Sequence, residues 1–313
     1  MANNKKKGAS GNFGMSLTGP GTVFTIGFIA LAIGMGILLS RGITPKSVLS
    51  DPGETGDLEM VVETPSLNKS NLQLKTIKFK ECASRVAIGL LVDRSGSMNG
   101  IKMESLHSAL STFTQSMGDQ SVVGLSSFSS DDNNAIAVRE DIPFSRYRDV
   151  KAQIPAAIQN IQAVGSTNTR TAFLFERDKI LAAQKAFPEQ KFALIFLSDG
   201  IPEDQTFRQT KTCASGRQAI DPTTISPRCF ANSQDPTQPP DISKEIKNAG
   251  IKIYTIALYD PTRSDDTYFL PDMKRMMQTI ATEPTLSTYY ELPDPTQLKQ
   301  IYKDIGQKIC NDL

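Results

Sequence analysis

The sequence predicts an α/β fold: a doubly wound, mostly parallel sheet with helices on both faces, preceded by one N-terminal transmembrane helix. Three observations carry that reading. Short continuous apolar runs at Val86–Val92, Phe192–Leu197 and Ile251–Leu258 fit strands buried on both faces. Amphipathic stretches with apolar residues three and four apart lie between them, as expected of helices covering such a sheet. Upstream, no charged residue occurs from Gly8 to Ser40, and Val23–Leu39 approaches the roughly 20 apolar residues that span a bilayer.

Residues 1–20 are expected to form a cytoplasmic segment, 21–40 the membrane helix or signal anchor, 41–71 a flexible stalk and 72–313 the folded domain. Lys5, Lys6 and Lys7 precede the apolar run, while Arg41 and Lys46 follow it, so the basic residues lean toward an N-terminus inside. Two other fates of the run stay open. Ala30-Leu31-Ala32 has the small-x-small form of a signal-peptide cleavage site, and a pilin-like leader would be cut after Gly14. Ala30 with Gly34, and Ala32 with Gly36, have the spacing of paired membrane helices, which allows a homo- or hetero-oligomer through this segment. The stalk is polar, holds Pro45, Pro52 and Pro65, and shows no periodicity.

Within the domain, Val86–Val92 is the first buried strand. Met103, Leu106, Leu110, Phe113 and Met117 then make Ile101–Met117 an amphipathic helix. Val122–Phe128 and Ala135–Ile142 read as strands joined by the turn-forming Ser129–Asn134. Helix is expected over Arg146–Ile161, interrupted at Pro155, and over Thr171–Phe187. After the strand at Phe192–Leu197 come a helix near Pro240–Ala249, the strand Ile251–Leu258, a helix near Asp272–Thr282, a strand at Thr288–Leu292 and a last helix, Thr296–Cys310. Lys75–Lys80 reads as a solvated strand edge whose lysines discourage pairing.

Composition narrows the function. Lys and Arg total 34 against 33 Asp and Glu, so no global field draws the chain to nucleic acid. The one histidine, His107, lies between Leu106 and Leu110 and reads as a helix residue rather than a ligand. Four cysteines, Cys82, Cys213, Cys229 and Cys310, have no C-x-x-C spacing, which disfavours zinc and redox sites. The most economical of their three pairings joins Cys213 to Cys229 within one loop and Cys82 to Cys310 across the domain, and that suits an oxidising compartment; four buried thiols in a reducing cytosol are the alternative.

Ligands of open parallel sheets bind outside the carboxyl ends of the strands, where strand order reverses. There the sequence places Asp93-Arg94-Ser95-Gly96-Ser97-Met98 after the first strand and Ser198-Asp199-Gly200 after the strand at 192–197. Gly165-Ser166-Thr167-Asn168-Thr169 precedes a helix between them. Asp93, Ser95, Ser97, Thr167 and Asp199 could together offer a hard cation five side-chain oxygens, through direct bonds or waters. Two plainer accounts compete: the hydroxyls could serve only as helix caps, and Asp93–Glu104 mimics an EF-hand loop, although Met98 stands where that loop needs glycine.

These three pieces, in this order, resemble the metal-ion-dependent adhesion site of von Willebrand factor type A (vWA) domains, over about Thr76 to Asn311. The resemblance implies a vWA, Rossmann-like fold and a bound Mg²⁺ (or Mn²⁺ or Ca²⁺) held by Asp93, Ser95, Ser97, Thr167 and Asp199. Thr169 is not implied as a ligand. It also implies a protein partner that presents an Asp or Glu side chain, and no catalysis. On this reading the chain is a membrane-anchored, single-pass, extracytoplasmic binding protein engaged in cell-surface adhesion. The alternative uses the same site in an assembly subunit of a pilus tip or membrane protein complex. A metal-dependent hydrolase is disfavoured, because no general base or second metal cluster accompanies the site. The long Pro-, Thr-, Gln- and Ser-rich insertion at 201–240 leaves the sheet beside Asp199 and, with 260–271, is expected to read partner identity. In integrin-type relatives the last helix slides, so a Cys82–Cys310 bridge would imply a more constitutive site.

Overall fold

The computed structural model describes residues 85–130, 137–203, 218–219, 228–262, 264–283 and 288–311. The expected cytoplasmic segment, membrane helix and stalk, the Lys75–Lys80 edge, Cys82 and Cys213 lie outside those residues. Among the described residues no helix is long and apolar enough to cross a membrane.

Six strands make the main sheet: β1 (Val86–Asp93), β2 (Val122–Phe128), β3 (Val138–Arg146), β4 (Lys191–Ser198), β7 (Lys252–Leu258) and β8 (Tyr289–Leu292). Their order is β3-β2-β1-β4-β7-β8, and only β3, at one edge, runs antiparallel to its neighbour. A small hairpin pairs β5 (Gln218–Ala219) with β6 (Arg228–Cys229). The helices are α1 (Ile101–Gln115), α2 (Tyr147–Val150), α3 (Ile154–Gln159), α4 (Thr169–Ala186), α5 (Ile242–Asn248), α6 (Ser264–Ile280) and α7 (Leu298–Asn311). This is the expected α/β architecture of a mostly parallel sheet between two helical layers.

Side chains of successive strand residues point to opposite faces, and this alternation divides the core in two. Val86, Ile88, Leu90 and Val92 of β1, with Ala193, Ile195 and Leu197 of β4, pack with α1, α3 and α7. Ala87 and Leu91, with Phe192, Leu194 and Phe196, face α4, α5 and α6. The central strands therefore need apolar residues at almost every position, which is why they appear as unbroken apolar runs. Between α1 and α7 the rings of Phe113 and Tyr302 lie 5.5 Å apart.

Two elements depart from the sequence expectation. The second hairpin strand runs to Arg146 instead of ending at Ile142; it carries Pro143, which an edge strand tolerates because one side of its backbone bonds no neighbour. The expected helix at 272–282 starts at Ser264 and continues through Pro271, a residue that in sequence reads as a helix boundary. The helix over 146–161, expected to be interrupted at Pro155, is two short helices with Pro155 in the first turn of the second.

Gly89 and Gly124 are register partners on β1 and β2. Their missing side chains leave a groove. A Cβ on Gly124 would meet the Phe144 ring at 2.8 Å, and one on Gly89 would meet Glu176 Oε1 at 2.9 Å. Glu176 thus lies buried on an apolar layer, with Ser126 as a hydrogen-bond partner and Oε2 without one. Burial pushes its carboxyl up to about 7 from the ordinary 4.5, and the nearby Glu140 charge adds to the rise.

The folded chain consequently holds this proton more tightly than the unfolded chain. The stability it contributes is complete below pH 4.5 and is lost as pH rises through about 7. Glu176→Gln should raise stability at pH 8 by an amount on the order of 3 kcal/mol and flatten the decline between those pH values, as read by urea denaturation across pH. A variant whose stability follows the wild-type pH profile contradicts this.

Candidate metal centre

β1 lies between β2 and β4, so the direction of chain progression reverses at the β1–β4 boundary. The carboxyl ends of these two strands carry Asp93 and Ser198, and Asp199 follows directly. Asp93 is fully buried. Its Oδ1 accepts the Ser95 backbone N–H at 2.7 Å, and its Oδ2 accepts the Ser198 hydroxyl at 2.5 Å.

Asp199 reaches the loop after β1. Its Oδ1 accepts the Ser97 hydroxyl at 2.7 Å and lies 3.5 Å from the Ser95 hydroxyl; the two serine oxygens are 3.0 Å apart. Its Oδ2 accepts from Lys102 Nζ at 2.7 Å. Lys102 is on the second residue of α1 and is itself buried. Burial first, and the neighbouring Asp199 charge second, hold the Asp93 carboxyl well above the usual carboxylate range, against the hydrogen bonds from Ser198 and Ser95.

Thr167 is buried on the loop that precedes α4. Backbone bonds press that loop against the first one: Gly96 N donates to Gly165 O at 2.8 Å, and Val164 N to Arg94 O at 2.7 Å. Ser130, after β2, fixes it from behind by accepting the Ser166 N–H at 2.7 Å. Gly165 adopts φ 71°, and a Cβ there would meet Ser130 Oγ at 2.7 Å. Asn168 Oδ1, at the end of this loop, and Thr169 Oγ1, on the first residue of α4, are buried without hydrogen-bond partners.

Of the five residues singled out in sequence, Ser95, Ser97 and Asp199 are in mutual contact. Asp93 joins them through Ser95, and Thr167 is on the adjoining loop. Lys102, Ser198 and Ser130 were not anticipated. A lysine at 102 shares the buried stripe of Leu106, Ala109 and Phe113 on α1, and that misplaced charge was the available signal. Glu104, the twelfth position of the EF-hand count, is exposed on α1. The His107 ring bonds the Ile161 carbonyl at 2.9 Å and takes no part in the site.

Among the described residues no group of three or more His, Cys, Asp or Glu side chains could hold a metal. A cation would therefore depend on two carboxylates plus hydroxyls. This all-oxygen set, with two like charges held close, fits a hard ion such as Mg²⁺, Mn²⁺ or Ca²⁺.

The described ends of the long insertion border the same loop. Glu203 N donates to Thr167 O at 2.8 Å, and Ala231 N to Pro202 O at 2.9 Å. The Arg170 guanidinium, on the second residue of α4, donates to the carbonyls of Asp235, Gln238 and Pro240 at 3.2, 3.1 and 2.9 Å. Cys229 and Cys310 are disulfide-bonded; the partners expected for them, Cys213 and Cys82, are outside the described residues.

Fold and geometry define an α/β domain with an oxygen-lined site at the switch point of a mostly parallel sheet. Residues 87–226 match the family model of the von Willebrand factor type A domain, and the chain carries a domain of that family. No curated protein matches the chain. Among solved structures, it is similar to a von Willebrand factor type A protein from Catenulispora acidiphila, at 14% identity and TM-score 0.48 over 72% of this chain. The chain spans 43% of that protein's length. A manganese-loaded TRAP protein from Plasmodium vivax is similar at 15% identity and TM-score 0.43, over 73% of this chain and 74% of that one.

Two positive-φ glycines near the site allow a controlled test of how the loop before α4 is held. Gly100 has φ 78° with nothing within 4 Å of a Cβ, whereas Gly165 adds the Ser130 clash. Alanine at either position should destabilise, and Gly165→Ala by about 1 kcal/mol or more beyond Gly100→Ala in denaturant titrations. Equal losses would contradict the packing described.

Proposed function

We propose that this chain is a binding module rather than a catalyst, built to hold a divalent cation and take an Asp or Glu side chain of a protein partner. Asp93, Ser95, Ser97, Thr167 and Asp199 are the residues that would hold the ion, Mg²⁺ or alternatively Mn²⁺ or Ca²⁺. When bound, such an ion supplies a concentrated positive charge with room for an outside carboxylate.

The observation that carries the reading is the contact of Asp199 Oδ1 with the Ser95 and Ser97 hydroxyls, which come from a loop about a hundred residues earlier. Nothing in the local folding of either loop requires that meeting. The Ser198 hydroxyl holds Asp93 from the β4 side, so both carboxylates are fixed before any ligand arrives. Preorganised oxygens of this kind spend little free energy on ordering at the moment of binding.

We place the domain outside the cytoplasm on a single N-terminal membrane helix at 21–40, in a role of cell-surface adhesion. The disulfide-bonded state of Cys229 and Cys310 supports an oxidising compartment, and the uncharged run from Gly8 to Ser40 supports the anchor. The bonds of Glu203 to the Thr167 loop and of Arg170 to the carbonyls of Asp235, Gln238 and Pro240 support a role of the 201–240 insertion in selecting the partner.

Calorimetric titration of the full chain with Mg²⁺ and Mn²⁺ should show single-site binding that weakens at least about tenfold in Asp93→Ala, a loss of 1.4 kcal/mol or more. Wild-type protein that binds neither ion, or a variant that binds as well as wild type, rejects the reading.

A further inference from the structure

Lys102 is a buried ammonium inside a cluster of acidic and hydroxyl oxygens. It leaves the second residue of α1, lies on the helix's buried stripe and ends 2.7 Å from Asp199 Oδ2. The two oxygens of Asp199 are thereby divided: Oδ1 takes the serine hydroxyls, and Oδ2 takes the lysine. A carboxylate gripped from both sides has one rotational setting, and that setting points Oδ1 at Ser95 and Ser97.

We propose that Lys102 is the site's built-in cation and a positioning residue for Asp199, and that it holds the affinity for a divalent ion below what the two carboxylates alone would give. This rests on the proposed metal-binding function. Asp93 and Asp199 are buried together, and a divalent ion would meet an ammonium bonded to one of their oxygens. In a partly desolvated site, an ammonium and a divalent ion that share one carboxylate repel strongly enough to cost at least about an order of magnitude in affinity. In the metal-free chain the same ammonium stabilises Asp199, whose isolation as a buried charge would be costly. With the ion in place it leaves the centre with surplus positive charge, the condition that favours capture of an outside carboxylate over tighter retention of metal.

A merely structural lysine would leave metal affinity unchanged or reduce it when removed. The roles separate in Mg²⁺ titrations of the full chain carrying Lys102→Met, Lys102→Gln or Lys102→Arg. The neutral variants should bind Mg²⁺ about tenfold or more tightly than wild type, and Lys102→Arg, which keeps the charge, should stay close to wild type. Thermal denaturation supplies a second readout: metal-free Lys102→Met should melt below wild type, and saturating Mg²⁺ should raise its Tm by more than it raises the wild type's. Neutral variants that fold and bind Mg²⁺ no better than wild type overturn the inference while leaving the metal site intact. A wild-type chain that binds no Mg²⁺ overturns both.

Discussion

Asp199 joins three parts of the chain through one carboxylate. It follows β4, accepts hydroxyls from the loop after β1 and accepts an ammonium from α1. A buried carboxylate is expensive to desolvate, and only several directed donors make its burial tolerable. Here those donors come from elements that pack on one face of the sheet and from the loop at its carboxyl edge, so the charge is satisfied only when β1, β4 and α1 are correctly assembled. Asp93 is under the same constraint from the other side, held by Ser95 N and by the Ser198 hydroxyl. The site is therefore a consequence of the parallel pairing of β1 with β4, which sets their carboxyl ends side by side.

Much of the architecture was legible in sequence because the central strands are buried on both faces and must be apolar throughout. Val86–Val92, Phe192–Leu197 and Ile251–Leu258 each became a strand within a residue of the expected ends. Where burial is partial the pattern weakens. β3 is half-buried, polar and interrupted by Pro143, and its pairing with β2 shifts register around Leu125, so neither alternation nor propensity marked its true end. Pro271 hid the first turns of α6, where packing of Phe269 and Met273 against the sheet outweighs the local cost of proline.

The candidate site was legible to the extent that its side chains sit in short motifs at strand ends. Asp93, Ser95, Ser97 and Asp199 were recognisable because a sheet of this kind brings those ends together. Lys102, Ser198 and Ser130 were not, since each acts through a distant residue: Lys102 on Asp199, Ser198 on Asp93, Ser130 on the backbone of Ser166. Partners 36 to 105 positions apart leave no local signature. Only the anomaly of a lysine on the apolar stripe of α1 pointed inward.

In the proposed function, one hard cation sits between the loop after β1 and the loop after β4. Anomalous scattering from crystals of the chain grown with Mn²⁺ tests it most directly. A peak is expected at about 2–2.6 Å from the side-chain oxygens of Ser95 and Ser97, in the same cluster as Asp199. A peak elsewhere on the domain, or none at saturating Mn²⁺, would contradict it.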